Sequence, residues 1–305
     1  MCCLFGFVDY AGSLSVTQKN CLIRELSIAA EARGTDATGI AYNTSRGLQI
    51  YKRPLAARRL QLRIPVEARA VMGHTQMTTQ GSAKKNFNNH PFFGCVKGKC
   101  FALAHNGVLW NDRGLRHTKH LPKTKIQTDS YVAVQLLEQQ KALDFDSLAK
   151  MAEQVEGSFS FAVLDEQDAL WIVKGDNPLT IVHFPAVGVY VYASTAEILN
   201  KALARCGNWL GREEKGDIAM GDIVRIDGNG RITRGAFDAS KFYLSSWRYW
   251  DTPLYPKAPH SEEEHLALLK SVAKAFDFTG EMVDRLLEQG FTIDDIEEIL
   301  YEGAW

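Results

Sequence analysis

The chain opens MCCLFGF. Loss of Met1 would leave Cys2 as the N-terminal residue, with a thiol and a free α-amine on one amino acid. The thiolate is the attacking form of cysteine, and an unperturbed thiol titrates near about 8.5. An α-amine titrates near about 8, so its neutral form can take the thiol proton at working pH. Nucleophile and base then sit on the same residue, the logic of an N-terminal nucleophile. The plainer alternative for Cys2 is a buried strand thiol. Further along, EARGTDATGIAY, VMGHTQMTTQGSAKKNFNNHPF, FALAHNGVLWND and TKIQTDSY each set Gly, Asn, Asp, His or Thr beside an apolar segment. Singly, each fits turn chemistry; in combination with Cys2 they are candidates for one site.

Those stretches need elements to position them. CCLFGFVDY is a short apolar run ending in a polar turn, so a buried strand. SVTQKNCLIRELSIAAEARG places Leu22, Ile23, Leu26, Ala29 and Ala30 at helical spacing and stops at Gly34. TGIAYNTSRGLQIYKRP predicts a hairpin turning at Asn43 to Gly47. ARAVMGHTQM and KCFALAHNGVLWN predict strands running into polar loops. TDSYVAVQLLEQQKAL predicts a helix with Thr128 as N-cap. DSLAKMAEQVEG predicts another, closing at Gly157. SFSFAVLDE, ALWIVKGD, LTIVHFP and GVYVYAS follow as strands. A helix then starts at Thr195, and DIVRIDGNGRITRGAF predicts a hairpin turning at Asp227 to Gly230. Strands in clusters and helices in pairs are not the alternation of a parallel doubly wound sheet. They predict an α+β layered fold with antiparallel sheets.

The texture changes near residue 250. DTPLYPKAPH carries three prolines and reads as a linker. Beyond it the pattern is helical, with capping-box signals at Ser261/Glu264 and Thr292/Asp295 and a C′ stop at Gly290. The division is therefore residues 1–250 as the main domain and 251–305 as a linker plus a small helical module.

Composition narrows the function classes. In 305 residues the formal net charge is −1, so no global basic excess draws the chain to nucleic acid or a membrane. The cluster Lys52, Arg53, Arg58, Arg59 and Arg63 reads as a solvated face. No apolar run is long enough to span a bilayer, and no basic region precedes the N-terminal apolar residues as a signal peptide requires. Six cysteines without a repeating framework point to a reduced, cytoplasmic protein. Cys95 and Cys100 flank VKGK and read as two hairpin-strand cysteines rather than zinc ligands. No metal and no cofactor are expected.

The order of Cys2, RGTDATG, GHTQMTTQG…NNHP, HNG and TDS, ending in EGSFSFAVL, GDNPL and YASTAEIL, resembles the glutaminase domain of class II glutamine amidotransferases. These belong to the N-terminal-nucleophile hydrolases. The resemblance covers roughly residues 2–235 and does not reach the tail. It implies a four-layer αββα sandwich, here with a small C-terminal helical appendage. It implies that Cys2 attacks the γ-amide of glutamine or a γ-glutamyl compound. Asn106 and Gly107 match the oxyanion hole, Asp129 the acid that binds the substrate α-ammonium, and Arg33 the arginine that orders the N-terminal strand. Thr75 and His90 match pocket-lining positions. From the residues alone, Asn106–Gly107 is also a hairpin corner, Asp129 a first-turn helix acid, and Arg33 a surface arginine ending a helix.

Two positions depart from the family pattern. Cys3 stands where the family has Gly, so its side chain must point away from the site or crowd it. The family's GHTR reads GHTQ, with Gln76 in place of the arginine that grips the glutamine α-carboxylate. Gln76 donates hydrogen bonds without charge, and charge-assisted bonds are roughly twice as strong as neutral ones. The departure predicts weaker glutamine binding, a substrate lacking that carboxylate, or a catalytically impaired member acting as a binding or adaptor protein. Because about 55 helical residues cannot form a synthase domain, the expectation is a separate ammonia-acceptor subunit or a free-standing hydrolase. The phrase LLEQGFTIDDIEEIL also suggests a ubiquitin-associated-like helix trio.

Overall fold

The computed structural model describes residues 2–242 and, beyond them, residues 266, 269–270, 273, 279–293 and 296. The chain divides into two compact units, Met1–Ala239 and Ser240–Trp305.

In the first unit, strand β1 (Cys3–Asp9) is buried along its whole length. It lies between β4 (Ala70–Gln76) and β10 (Val189–Ala193), antiparallel to both, with Cys3 opposite Thr75 and Phe5 opposite Ala193. The sheet is completed by β2 (Ala37–Thr44) and β3 (Gly47–Arg53) on one side, and by β9 (Thr180–Phe184) and β11 (Glu214–Gly216) on the other. A second antiparallel sheet holds β5 (Phe92–Val96), β6 (Lys99–Leu109), β7 (Gly157–Asp165), β8 (Leu170–Lys174), β12 (Asp222–Ile226) and β13 (Ile232–Ala236), in the order β13-β12-β8-β7-β6-β5.

Side-chain alternation explains the layers. Leu4, Val8, Ala41, Ala70 and Met72 of the first sheet pack on Ala102, Ala104, Ala162, Leu164 and Ile172 of the second. The opposite face of β1, Cys3, Phe5 and Phe7, packs under α1 (Val16–Ala30) and α5 (Ala196–Cys206). Two helices, α3 (Tyr131–Gln140) and α4 (Phe145–Gln154), cover the second sheet, with a short α2 (Asp112–Thr118) beside α3. This is the four-layer αββα sandwich.

Ends of elements follow local chemistry. Ser15 and Gln18 form a capping box at the start of α1, and Thr195 caps α5. The helix expected from Thr128 instead starts at Tyr131, with no side-chain cap bond at Ser130. Thr128 is occupied elsewhere: its Oγ1 donates to the Asn88 carbonyl at 2.7 Å. Neither α2 nor β11 is evident in the sequence. Arg58 is not simply a solvated charge, because its side chain and backbone N–H both engage the buried carboxylate of Glu31.

In the second unit, α6 (Gly280–Glu288) is capped by Thr279, and Val283 and Leu286 pack with Leu269, Ala273 and Ile296. Gly290 adopts φ +96°, and the N–H groups of Gly290 and Phe291 go to the Leu287 and Leu286 carbonyls. That is the glycine-terminated stop expected there. The Pro-rich linker, the Ser261/Glu264 box and Asp295 lie outside the described residues.

Candidate active site

Cys2 precedes the central strand and is 8 % exposed. Its Sγ lies 3.5 Å from the Met77 carbonyl. Its own carbonyl accepts Arg33 Nε at 2.8 Å. Burial pushes the Cys2 thiol up to about 11, so near neutral pH the sulfur is protonated and attack requires a base within reach. Cys3 alternates to the other face and packs under α1 and α5, which resolves the crowding that its replacement of Gly raises.

The RGTD segment holds the chain that faces Cys2. A 3-10 turn, Glu31–Arg33, ends α1 and presents Arg33. At Gly34 a Cβ would lie 2.4 Å from the Gln76 carbonyl carbon, so only glycine allows this approach. Asp36 donates its N–H to the Gln76 carbonyl at 2.9 Å and accepts Thr78 N at 2.7 Å. Residues 76–78 are thereby clamped next to the thiol.

Asn106 lies in β6, on the face that looks into the space between the sheets. Its Nδ2 is 3.4 Å from Ser194 Oγ, and that oxygen accepts Leu4 N at 2.8 Å. Ser194 therefore joins the start of β1 to Asn106. Asn106 Oδ1 is buried without a partner among the described residues. Asn177 Nδ2 donates to the Asn106 carbonyl at 3.0 Å and to Ser158 Oγ at 2.7 Å, fixing the strand. Gly107 has φ +146°, and a Cβ there would lie 1.8 Å from the Ser158 carbonyl oxygen. In an antiparallel ladder the N–H groups of alternate residues share an edge. The Gly107 N–H thus lies on the edge used by Leu109, whose N–H goes to Asp129 Oδ2 at 2.6 Å.

Asp129 is 2 % exposed and also accepts Ser130 Oγ at 3.4 Å. The same hydroxyl is 2.7 Å from His105 Nδ1. Asn88 ties this segment to the NNHP loop: its Oδ1 accepts Gln127 N and its carbonyl accepts Thr128 Oγ1.

His74 and His90 lie beside Gln76, whereas His105 alternates with Asn106 along β6 and turns to Ser130 and Phe161 on the other face of that sheet. His74 and His90 have ring centroids 4.2 Å apart, and His74 Nε2 is 2.9 Å from the His105 carbonyl. Gln76 Oε1 is 3.4 Å from His90 Nδ1, while His90 Nε2 is buried without a partner among the described residues. Burial lowers all three histidines, His74 to about 3, so they are neutral at pH 7. Burial also lowers the nearby Lys52 to about 8 while its Nζ donates to the Asn89 and Pro91 carbonyls.

Cys2, Arg33, Gln76, His90, Asn106, Gly107 and Asp129 thus belong to one end of the sandwich. Thr75 differs: its Oγ1 donates to the Ala30 carbonyl at 2.9 Å, so its side chain serves the helix layer and not the inter-sheet face. Residues that sequence reasoning did not single out are Ser194, Asn177, His74 and His105. The signals were present in YASTAEIL, GDNPL, GHTQ and AHNG, but their roles depend on register.

Residues 76–201 match the glutamine amidotransferase domain family. Glutamine–fructose-6-phosphate aminotransferase of Bacillus spizizenii is 31 % identical over 185 residues, 58 % of this chain and 30 % of that protein. Its Lactococcus lactis counterpart is 32 % identical over 186 residues, with the same coverage. Over this stretch the chain is similar to glutamine amidotransferase domains. The amidotransferase fold extends across the sandwich. The glutamine phosphoribosylpyrophosphate amidotransferase of B. subtilis superimposes with a TM-score of 0.60 at 17 % identity, covering 77 % of this chain and 49 % of that one. A structure described as the allosteric regulatory enzyme of purine biosynthesis gives the same score at 18 % identity. This chain spans about 30 % of the length of the curated aminotransferases it matches. Among the described residues no helix is long and apolar enough to cross a membrane.

Proposed function

We propose that this amidotransferase domain releases ammonia, or an amine, from glutamine or a γ-glutamyl compound through a thioester on Cys2. With Met1 removed, the α-amine of Cys2 takes the thiol proton. The sulfur attacks the amide carbonyl carbon, and the carbonyl oxygen becomes an oxyanion between the Gly107 N–H and Asn106 Nδ2. The amine's proton passes to the leaving nitrogen, the C–N bond breaks and the thioester remains. Water then attacks the thioester, releasing a carboxylic acid and restoring the thiol. Asp129 pairs with the substrate α-ammonium, and Arg33 holds the backbone of the nucleophile.

The observation that carries this reading is the Ser194 bridge. One hydroxyl receives the Leu4 N–H and contacts the Asn106 amide, so the proposed oxyanion donor is tied to the strand that bears Cys2. At 3.4 Å the Asn106 contact is weak enough to be exchanged for an oxyanion. The relatives' names pair glutamine with a sugar-phosphate acceptor. For this chain, glutamine carries over as the amide donor, and a separate ammonia-acceptor subunit is the proposed partner.

Gln76 favours a second reading, a catalytically impaired binding or adaptor protein, because it is neutral and engaged with His90. Ammonia release from glutamine by the wild type and by Cys2→Ala separates the two. Release that depends on Cys2 supports the enzyme. Equal release from both proteins rules out the thiol, and absence of release together with a retained Met1 supports the adaptor.

A further inference from the structure

At the far end of β6 from Asn106 stands a pair of thiols the proposed reaction does not use. Cys95 of β5 and Cys100 of β6 are directly opposed in the hairpin register. The turn between the strands is Lys97–Gly98, with φ +49° and +81°. Positive φ at both central residues characterises the tight two-residue turn that matches strand twist. In such a hairpin the pair flanking the turn, Val96 and Lys99, is hydrogen-bonded, and the next pair is not. The side chains confirm this alternation. Cys95 N donates to Glu138 Oε1 and Cys100 N to Glu166 Oε2, each at 3.1 Å. A non-hydrogen-bonded pair sets its Cα atoms about 4.5 Å apart. A disulfide accepts about 4.4–6.8 Å. The two sulfurs are 3.2 Å apart, and both thiols are free and half-buried.

We propose that Cys95 and Cys100 are a reversible oxidation site, closing a cross-strand disulfide by exchange with an anionic low-molecular-weight disulfide. One cysteine, as thiolate, attacks the S–S bond of the small disulfide, forming a mixed disulfide and releasing one small thiol. The second cysteine attacks the protein-side sulfur of that mixed disulfide. The Cys95–Cys100 bond forms and the second small thiol leaves. Two protein thiols are oxidised and one disulfide is reduced, and the two cysteine protons end on the two released thiols.

The surroundings give the oxidant room and charge. Cys100 lines a hollow of about 320 Å³ bordered by Lys97, Lys99 and Lys141. Its acids Asp144, Asp165 and Glu166 each accept backbone N–H groups. The hollow lies roughly 20 Å along β6 from Asn106, by strand rise. The other close pair makes a comparison. Cys21 and Cys206 face each other from α1 and α5 with sulfurs 3.8 Å apart, and Cys206 is buried. Only one member of that pair, Cys21, is half-buried, whereas both Cys95 and Cys100 are, and its sulfurs stand farther apart than those of the hairpin pair.

The test is to equilibrate the full chain with oxidised glutathione, quench with acid, alkylate and map the peptides. The expected product is an intact mass lower by two hydrogens, with Cys95 joined to Cys100 and Cys21 and Cys206 still alkylated. Cys100→Ser should stop at a glutathione adduct on Cys95, and the cationic disulfide cystamine should react more slowly than glutathione. Several results overturn the proposal: free, alkylated Cys95 and Cys100 after equilibration, a lasting glutathione adduct on the wild-type pair, or a bridge at Cys21–Cys206 in its place. Cystamine reacting as fast as glutathione overturns the assignment of an anionic oxidant.

Discussion

Arg33 Nε donates to the Cys2 carbonyl oxygen at 2.8 Å, across 31 positions of sequence. The guanidinium holds the backbone of Cys2, the proposed nucleophile, through its carbonyl. Lysine keeps the charge but replaces a rigid planar fork with a flexible point charge. Arg33→Lys should therefore lower kcat/KM for glutamine by about 100-fold, the cost of a displacement on the order of 1 Å at a reacting group. Steady-state ammonia release measures it. The thermal midpoint should move far less than the rate.

Asn106 and Ser194 should separate in a kinetic comparison. Asn106→Ala removes the proposed oxyanion donor, with an expected loss in kcat of about 10²–10³. Ser194→Ala leaves that donor in place but unties it from Leu4, so the loss should be smaller, with KM nearly unchanged. A larger effect at Ser194 than at Asn106 would contradict the assigned roles.

Gln76→Arg restores a cation where the neutral amide now meets His90. The KM for glutamine should fall by about tenfold, equivalent to about 1.4 kcal/mol of new charge-assisted binding. Glutaminamide, which has no carboxylate, should not gain. Loss of glutamine turnover in this variant would show that Gln76 itself contacts the substrate.

The buried histidines set an acid limit on stability. Their folded pKa values lie below the unfolded value of about 6.5, so between the two the unfolded chain binds more protons. The stabilising contribution is complete above about 6.5 and is lost as pH falls toward the folded values, about 3 for His74. Urea titrations should show unfolding free energy falling from pH 7 to pH 5, with no histidine-linked change between pH 7 and 8.

Much of this architecture is legible in the sequence because its signals are local. The buried run at Cys3–Asp9, the hairpin turn at Asp227 to Gly230 and the Thr195 cap each depend on neighbouring residues alone. Asp112–Thr118 escapes because a seven-residue helix containing Gly114 has weak propensity and little periodicity. Glu214–Gly216 escapes because three exposed residues carry no alternation.

The site divides in the same way. Cys2, Asn106, Gly107 and Asp129 stand out by type and order. Ser194 does not, since its role arises only when β10 pairs with β1 in the register that sets Ala193 opposite Phe5. Thr75 misleads because it neighbours Gln76 in sequence, yet alternation turns adjacent strand side chains to opposite faces. Cys3 turns away from the inter-sheet side for that same reason.

The most direct test of the central claim is peptide-mapped mass spectrometry after treatment with a glutamine-shaped diazoketone. One adduct is expected, on the sulfur of Cys2, in a chain that begins at Cys2 and no longer releases ammonia. An active, labelled protein that still carries Met1, or an adduct confined to another cysteine, would contradict it.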